Sequence, residues 1–181
     1  MPMEDWNVVA TVRDHRFAQA WRLLEEFGQV AKTAFYNVLA VKVDDIDTFL
    51  NDLHARLTAV PAISECLAKV LPVTSTFSFQ TPEEFEQQAM AAVTPWLPGL
   101  AGKSFHVRMH RRGFKGRLNS QQEERFLDHY IVESLAGAGR TATVAFHEPE
   151  VIIAVETIGQ RAGLSLWHCD ELARFPLVRL D

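Results

Sequence analysis

Cationic side chains are concentrated in one short stretch of this 181-residue sequence. Between positions 108 and 117 there is no acidic residue, and the cations are Arg108, Arg111, Arg112, Lys115 and Arg117. The formal net charge of the chain is −5, so the remaining residues carry −10 (−5 minus 5). Guanidinium forks and ammonium point charges are the side chains that bind phosphate groups best. The sequence therefore predicts one local phosphate-binding site on an otherwise acidic protein.

Two regular elements flank these cations and would hold them in place. Apolar and polar residues alternate over positions 104–110, which predicts a strand that leads into the cationic residues. A helix is expected to follow, because Ser120 and Glu123 have the spacing of a capping box. Residues 111–119, which connect the two elements, are called the basic bend below.

The basic bend also contains features suited to nucleic acid. Gly113 and Gly116 would let backbone amides approach a ligand closely, and Phe114 between them could stack on an unpaired base. The start of the following helix would add free backbone N–H groups. The alternative, that these cations simply pair with neighbouring acids on a solvated turn, stays open at this point. The residues predicted to contact RNA are Arg108, His110, Arg111, Arg112, Phe114, Lys115 and Arg117.

Composition excludes several classes of protein. A hydrophobic content of 48% and a charged content of 23% are typical of a folded globular protein and not of a disordered one. The pI of about 5.8 argues against coating of nucleic acid or membrane through a global positive field. No apolar stretch reaches the roughly 20 residues of a membrane span, and acidic residues stand where a signal peptide would carry cations. We therefore expect a cytoplasmic protein without a membrane partner.

No constellation of catalytic residues stands out. The cysteines, Cys66 and Cys169, have no metal-ligand spacing and suit a reducing compartment. His106 and His110 share one strand face but lack a third ligand. We expect no metal, no cofactor and no enzymatic activity from this chain.

The pattern of elements predicts an α+β fold with two domains. Residues 1–75 read as strand, helix, strand, strand, helix and strand, which is the order of a ferredoxin-like domain. Thr74–Gln80 is expected to be a linker, and Thr81 to cap a helix that opens the second domain, residues 76–181. Asp14 and Asp44 are expected to cap the two helices of the first domain. The tail, Arg174–Leu180, is expected to add an edge strand.

The second half of the chain resembles a THUMP domain. The resemblance rests on three features: the strand that ends in basic residues at 104–117, the helix from Ser120, and the segment 144–156. That segment contains a strand, the turn Glu148-Pro149-Glu150 and an aliphatic strand. The end of the chain, 174–179, also resembles the end of such domains. Members of this family typically carry a ferredoxin-like domain directly before the THUMP domain.

The resemblance implies a function in RNA modification. THUMP domains dock RNA, most often transfer RNA, beside a separate catalytic domain that modifies it. The sequence ends where such a domain would begin, and it is similar to the catalysis-free members that present transfer RNA to a cytidine acetyltransferase. The implied function is an RNA-docking adaptor whose enzyme is another chain. A protein-interaction module without RNA contact is the main alternative, and an enzyme that acts on a small acidic metabolite at the basic bend is a third. The oligomeric state stays open.

Overall fold

A computed structural model describes residues 3–180 of the chain. It divides into two compact units. The first unit comprises the described residues up to Val73 together with Leu172–Arg179, and the second comprises Thr74–Glu171 together with Leu180. The sequence-based division differs from this one at residues 74–75, which it assigned to the first domain, and at residues 172–179, which it assigned to the second.

The first unit contains one antiparallel sheet of four strands and two helices. Its strand order is β2-β3-β1-β4, and each neighbouring pair is antiparallel. The element order predicted from the sequence is confirmed for this unit. In chain order the elements are β1 (Val8–Val12), α1 (Phe17–Glu25), β2 (Gln29–Lys32), β3 (Val38–Lys42), α2 (Ile46–Ala59) and β4 (Leu67–Pro72).

The helix starts of this unit differ from the predicted ones by one or two residues. The side chain of Asp45, not of Asp44, caps α2 by accepting a hydrogen bond from the backbone N–H of Thr48 at 2.7 Å. Arg16 precedes α1 and makes no side-chain cap, while Asp14 instead accepts hydrogen bonds from Tyr36 and Asn37. Both predicted caps were therefore wrong. An acidic side chain close to a helix start can accept hydrogen bonds from several backbone and side-chain donors, so the sequence alone does not fix which residue is the cap.

The second unit contains a mixed sheet of five strands in the order β5-β9-β8-β6-β7. Strand β6 is parallel to β7 and β8, whereas β9 is antiparallel to β5 and β8. In chain order the elements are β5 (Ser75–Ser78), α3 (Pro82–Val93), α4 (Leu97–Leu100), β6 (Ser104–His110), α5 (Ser120–Gly137), β7 (Thr143–Val144), β8 (Val151–Ile158), β9 (Arg161–His168) and the start of α6 (Cys169–Arg174), whose residues from Leu172 onward belong to the first unit.

Two predictions about the boundaries of this unit were wrong. The expected linker contains strand β5, whose hydroxyl-bearing residues pair with β9 at the edge of the sheet. The expected edge strand at 174–180 is absent from the described residues. The backbone there is irregular, and Leu177 O accepts a single hydrogen bond from Val70 N at 2.9 Å.

A compact apolar core fixes β6 against α3 and α5. Phe85 on α3, Phe105 and Val107 on β6, and Leu127 and Ile131 on α5 are all fully buried in it. Burial of each such side chain contributes about 1.5–3 kcal/mol relative to exposure. The strand and the helix that flank the basic bend are therefore held by the core itself. Among the helices of residues 3–180, none combines the length and the apolar character needed to cross a bilayer.

Candidate nucleic-acid interface

Strand β6 presents its polar residues on one face. It pairs in parallel with β8 from Phe105 to His110. Because side chains alternate along a strand, His106, Arg108 and His110 share the face opposite Phe105. Arg108 and His110 are exposed, and Arg108 Nε donates a hydrogen bond to Leu180 O at 3.1 Å. A ligand could reach both side chains, and their contact with RNA stays a prediction.

Arg112 is turned inward. Its side chain is buried, with 7% of the residue exposed, and its guanidinium group forms an ion pair with the buried carboxylate of Glu156 on β8. The Arg112 backbone N–H donates to Thr157 Oγ1 at 2.9 Å, and its carbonyl accepts from Gly159 N at 2.8 Å. The prediction that Arg112 contacts phosphate is therefore corrected: this residue anchors the basic bend to the β8–β9 hairpin.

Phe114 is a second anchor of the basic bend. Its ring packs against the core, with its centroid 4.9 Å from that of Phe79. The Arg117 guanidinium carbon lies 4.7 Å from the same ring centroid, in a cation–π arrangement. Both contacts take up ring surface that a nucleobase would need. The prediction that Phe114 stacks on a base is thus corrected, because the ring is used to hold the turn.

Positive φ angles turn the chain sharply at these anchors. They occur at Gly113 (100°), Phe114 (54°) and Gly116 (79°). For a bulky residue such as Phe114 this conformation is uncommon, and it persists where surrounding contacts over-determine it. The contacts with Phe79 and Arg117 supply that constraint, so the basic bend is a fixed shape and not a loose loop.

Three cations remain at the surface of the basic bend. Lys115 is exposed and makes no hydrogen bond or ion pair with another residue of the described chain. Arg117 is exposed, and its Nη2 donates to Gln80 O at 3.1 Å. Arg111 is half-buried, and its Nη1 donates to the carbonyl of Gly113. All three keep donors for a ligand, because an arginine carries five N–H groups and a lysine three.

An open depression of about 480 Å³ lies at the start of α5. Arg111 and Arg117 line it, together with residues 119–122. Asn119, not Ser120, caps the helix: its Oδ1 accepts from the backbone N–H of Gln122 at 3.0 Å. Helix geometry leaves the N–H groups of the two preceding helical residues without intrahelical partners. The depression therefore combines guanidinium donors, backbone donors and the positive end of a helix dipole, which is the chemistry of a phosphate site.

Glu123 has a different role from the capping box that its spacing predicts. It is buried, with 4% of the residue exposed. Burial, followed by the charge of Glu86 and a hydrogen bond with it, raises the pKa of Glu123 to about 8. The raised pKa of Glu123 lowers the negative charge that this residue contributes near the start of α5 at neutral pH.

Carboxylates of α5 cover the edge of β6 beyond the short strand β7. Asp128 Oδ1 accepts from Val107 N at 3.2 Å, and Glu124 Oε1 accepts from Met109 N at 3.1 Å. Burial raises the pKa of Asp128 to about 7. Sequence reasoning missed this arrangement, although the spacing of four residues between the two acids could have indicated one helix face.

Because of these two buried acids, we expect the free energy of unfolding to fall as the pH rises. The pKa values of Asp128 and Glu123 are raised to about 7 and about 8 in the folded state, so folding takes up protons above about pH 4. Their stabilising contribution is complete below that pH and is lost as pH passes through the two folded pKa values. Urea unfolding at about pH 6 and about pH 8.5 measures the loss.

Glu123→Gln is the matching variant. It should be more stable than the wild type by about 1 kcal/mol or more at about pH 8.5, because it has no proton to lose. A wild-type free energy of unfolding that stays flat over this range would contradict the burial of these acids.

These elements define a mixed α/β protein with two sheets, consistent with a THUMP-like fold. No family model matches the sequence, and no curated protein matches it. Several solved structures are similar to this chain. PH1313 from Pyrococcus horikoshii is similar over 89% of this chain and 54% of its own, with a TM-score of 0.58 at 12% identity.

Two further solved structures resemble this chain to a similar degree. TrmN from Thermus thermophilus matches 89% of this chain and 44% of its own, with a TM-score of 0.58 at 16% identity. A 4-thiouridine synthetase, solved in complex with RNA and bound ATP, matches 91% of this chain and 42% of its own, with a TM-score of 0.55 at 14% identity. At such identities the likeness establishes the fold alone, and the chain spans about half the length of these proteins.

Within residues 3–180, no group of three or more His, Cys, Asp or Glu side chains is placed to hold a metal ion.

Proposed function

We propose that this chain binds RNA, with transfer RNA as the preferred class, through the basic bend and the adjoining face of β6. The observation that carries the proposal is the depression at the start of α5, lined by Arg111 and Arg117 on an acidic chain. Lys115 is exposed on the same basic bend, and Arg108 is exposed on β6, the strand that leads into it. Four side chains are thus available to phosphates, where the sequence alone suggested five.

The structural neighbours support this proposal. One of them was solved as a complex with RNA. The strand order β2-β3-β1-β4 of the first unit supports a ferredoxin-like domain ahead of a THUMP domain. We propose that this chain docks RNA through its second unit and that another chain supplies the modifying enzyme.

The rigid shape of the basic bend explains how docking would work. Arg112 and Phe114 are used internally, so the neighbouring cations are presented at fixed positions. Fixed donors lose less conformational freedom when they bind a phosphate than flexible ones do. Phosphate contacts of this kind set the position and orientation of an RNA without reading its sequence. That property suits an adaptor that serves many transfer RNAs.

Salt dependence tests the proposal. With four phosphate contacts, log K for transfer RNA should fall with log salt at a slope of about −3, using the coefficients for single- and double-stranded nucleic acid. Fluorescence anisotropy with labelled transfer RNA over a range of potassium chloride concentrations measures it. Absence of binding, or binding that ignores salt, would contradict the proposal. In that case, the alternative of a protein-interaction module becomes the better explanation.

The adaptor role needs its own test. The tagged chain is recovered from cells, its RNA is sequenced and co-purifying proteins are identified. An adaptor predicts enrichment of transfer RNA together with an RNA-modifying enzyme, and transfer RNA from a strain that lacks the chain should lose one modified nucleotide. If transfer RNA from that strain keeps all its modifications, the chain binds RNA for another purpose.

A further inference from the structure

The second unit exposes an aromatic residue outside the basic bend. Phe146, just after β7, is 76% exposed, whereas Phe114 is used within the turn. In residues 74–171 as described, it is the one large hydrophobic side chain with such high exposure. Neither the predicted RNA-binding residues nor the proposed function so far gives it a role.

The ring of Phe146 is held in a defined orientation. It meets the imidazole of His106 edge-on, with ring centroids 4.7 Å apart and an interplanar angle of 71°. His106 is itself buried, with 5% of the residue exposed, and its Nδ1 lies 3.8 Å from Asp128 Oδ2. A buried side chain thus supports an exposed ring, which leaves ring surface open to solvent in a fixed position.

Phe146 also lies at one end of the polar face of β6 that carries Arg108. Ala145 N donates to Phe105 O at 2.9 Å, so the chain leaves the sheet beside His106. From His106 the same strand face continues to Arg108 and His110 in steps of about 6.7 Å and then reaches the basic bend. An RNA strand whose phosphates follow this face would bring a base to Phe146.

We propose that Phe146 is a stacking platform for an unpaired base of the RNA that binds at the basic bend. This inference rests on the proposed function and adds to it a preference for RNA with a single-stranded segment. A phenyl ring stacks on any base, since every base has a π-face, so the platform adds affinity without sequence specificity. Exposed rings beside cations are the usual way in which proteins hold single strands.

Substitution of Phe146 separates stacking from packing. Phe146→Ala and Phe146→Leu should each weaken binding of transfer RNA by about 5- to 150-fold at fixed salt. Phe146→Trp should retain or improve it. The salt slope should stay at its wild-type value in all three, because no charge is removed. Tyr36→Ala, which removes an exposed aromatic residue of the first unit, is the matched control and should bind as the wild type does.

A second probe tests the preference for unpaired bases. A short oligoadenylate should lose affinity with Phe146→Ala, whereas a blunt RNA duplex should not. Wild-type affinity of Phe146→Leu for transfer RNA would overturn the inference but leave the proposed function intact, as long as the salt slope stays near −3. Equal loss for duplex and oligoadenylate would also overturn it. Failure of the wild type to bind RNA would overturn both.

Discussion

Reversal of charge at Arg111, Lys115 and Arg117 together should lower the affinity for transfer RNA by at least about 100-fold at moderate salt. Hydrogen bonds to charged groups contribute about 1.5–3 kcal/mol each, so the loss of two of them already accounts for this factor. The salt slope should also become shallower by about 2 to 3, because three phosphate contacts no longer release counterions. Anisotropy titrations of the Arg111→Glu, Lys115→Glu, Arg117→Glu variant measure both quantities.

The matched control carries the same change in net charge at exposed positions outside the basic bend and β6. Arg22→Glu, Lys32→Glu and Arg140→Glu also take the formal charge from −5 to −11 (−5 minus 6). This control should lose far less affinity, because none of its three side chains belongs to the proposed interface. Equal losses in the two variants would mean that net charge, and not the basic bend, governs binding.

Substitution of Arg112 should instead affect stability first. Arg112→Ala is expected to cost about 3–5 kcal/mol of unfolding free energy in the second unit, because it removes the cation that neutralises the buried carboxylate of Glu156. The backbone hydrogen bonds of residue 112 with Thr157 and Gly159 remain in this variant, so the loss measures the side-chain ion pair. Urea denaturation followed by the fluorescence of Trp96 and Trp167 measures the change.

A neighbouring arginine provides the comparison for this variant. Arg111→Ala should change the free energy of unfolding by less than about 0.5 kcal/mol, as is usual for a side chain without buried partners. A double-mutant cycle with Glu156→Ala should show a strong coupling between positions 112 and 156. If Arg112→Ala unfolds at the same urea concentration as Arg111→Ala, the buried ion pair does not contribute to the free energy of unfolding.

The long helices and the strands other than β5 were predictable because their patterns are local. Strand β6 was predicted from alternation at 104–110, and the order of elements in the first unit followed from period and turn signals. Thr81 was correctly identified as a helix cap, since Pro82 at the first helical position fixes the start. Such signals depend on neighbours in sequence and need no knowledge of tertiary contacts.

The errors about Arg112 and Phe114 concern residues whose role depends on distant partners. Glu156 is 44 residues from Arg112, and nothing in the local sequence shows that the two form an ion pair. Phe79 and Phe114 likewise meet only in the folded chain. A cluster of cations therefore predicted the location of the candidate site, but it could not show which of these side chains are buried in contacts within the protein. Phe146 was overlooked for the same reason, because exposure is a tertiary property.

Ultraviolet cross-linking of the chain to bound transfer RNA, with mass spectrometry of the linked peptides, tests the central claim most directly. We expect the linked peptides to include residues of the basic bend and the peptide that contains Phe146. Cross-links confined to residues 3–73, with none in the basic bend, would show that RNA binds elsewhere and would contradict the interface described above.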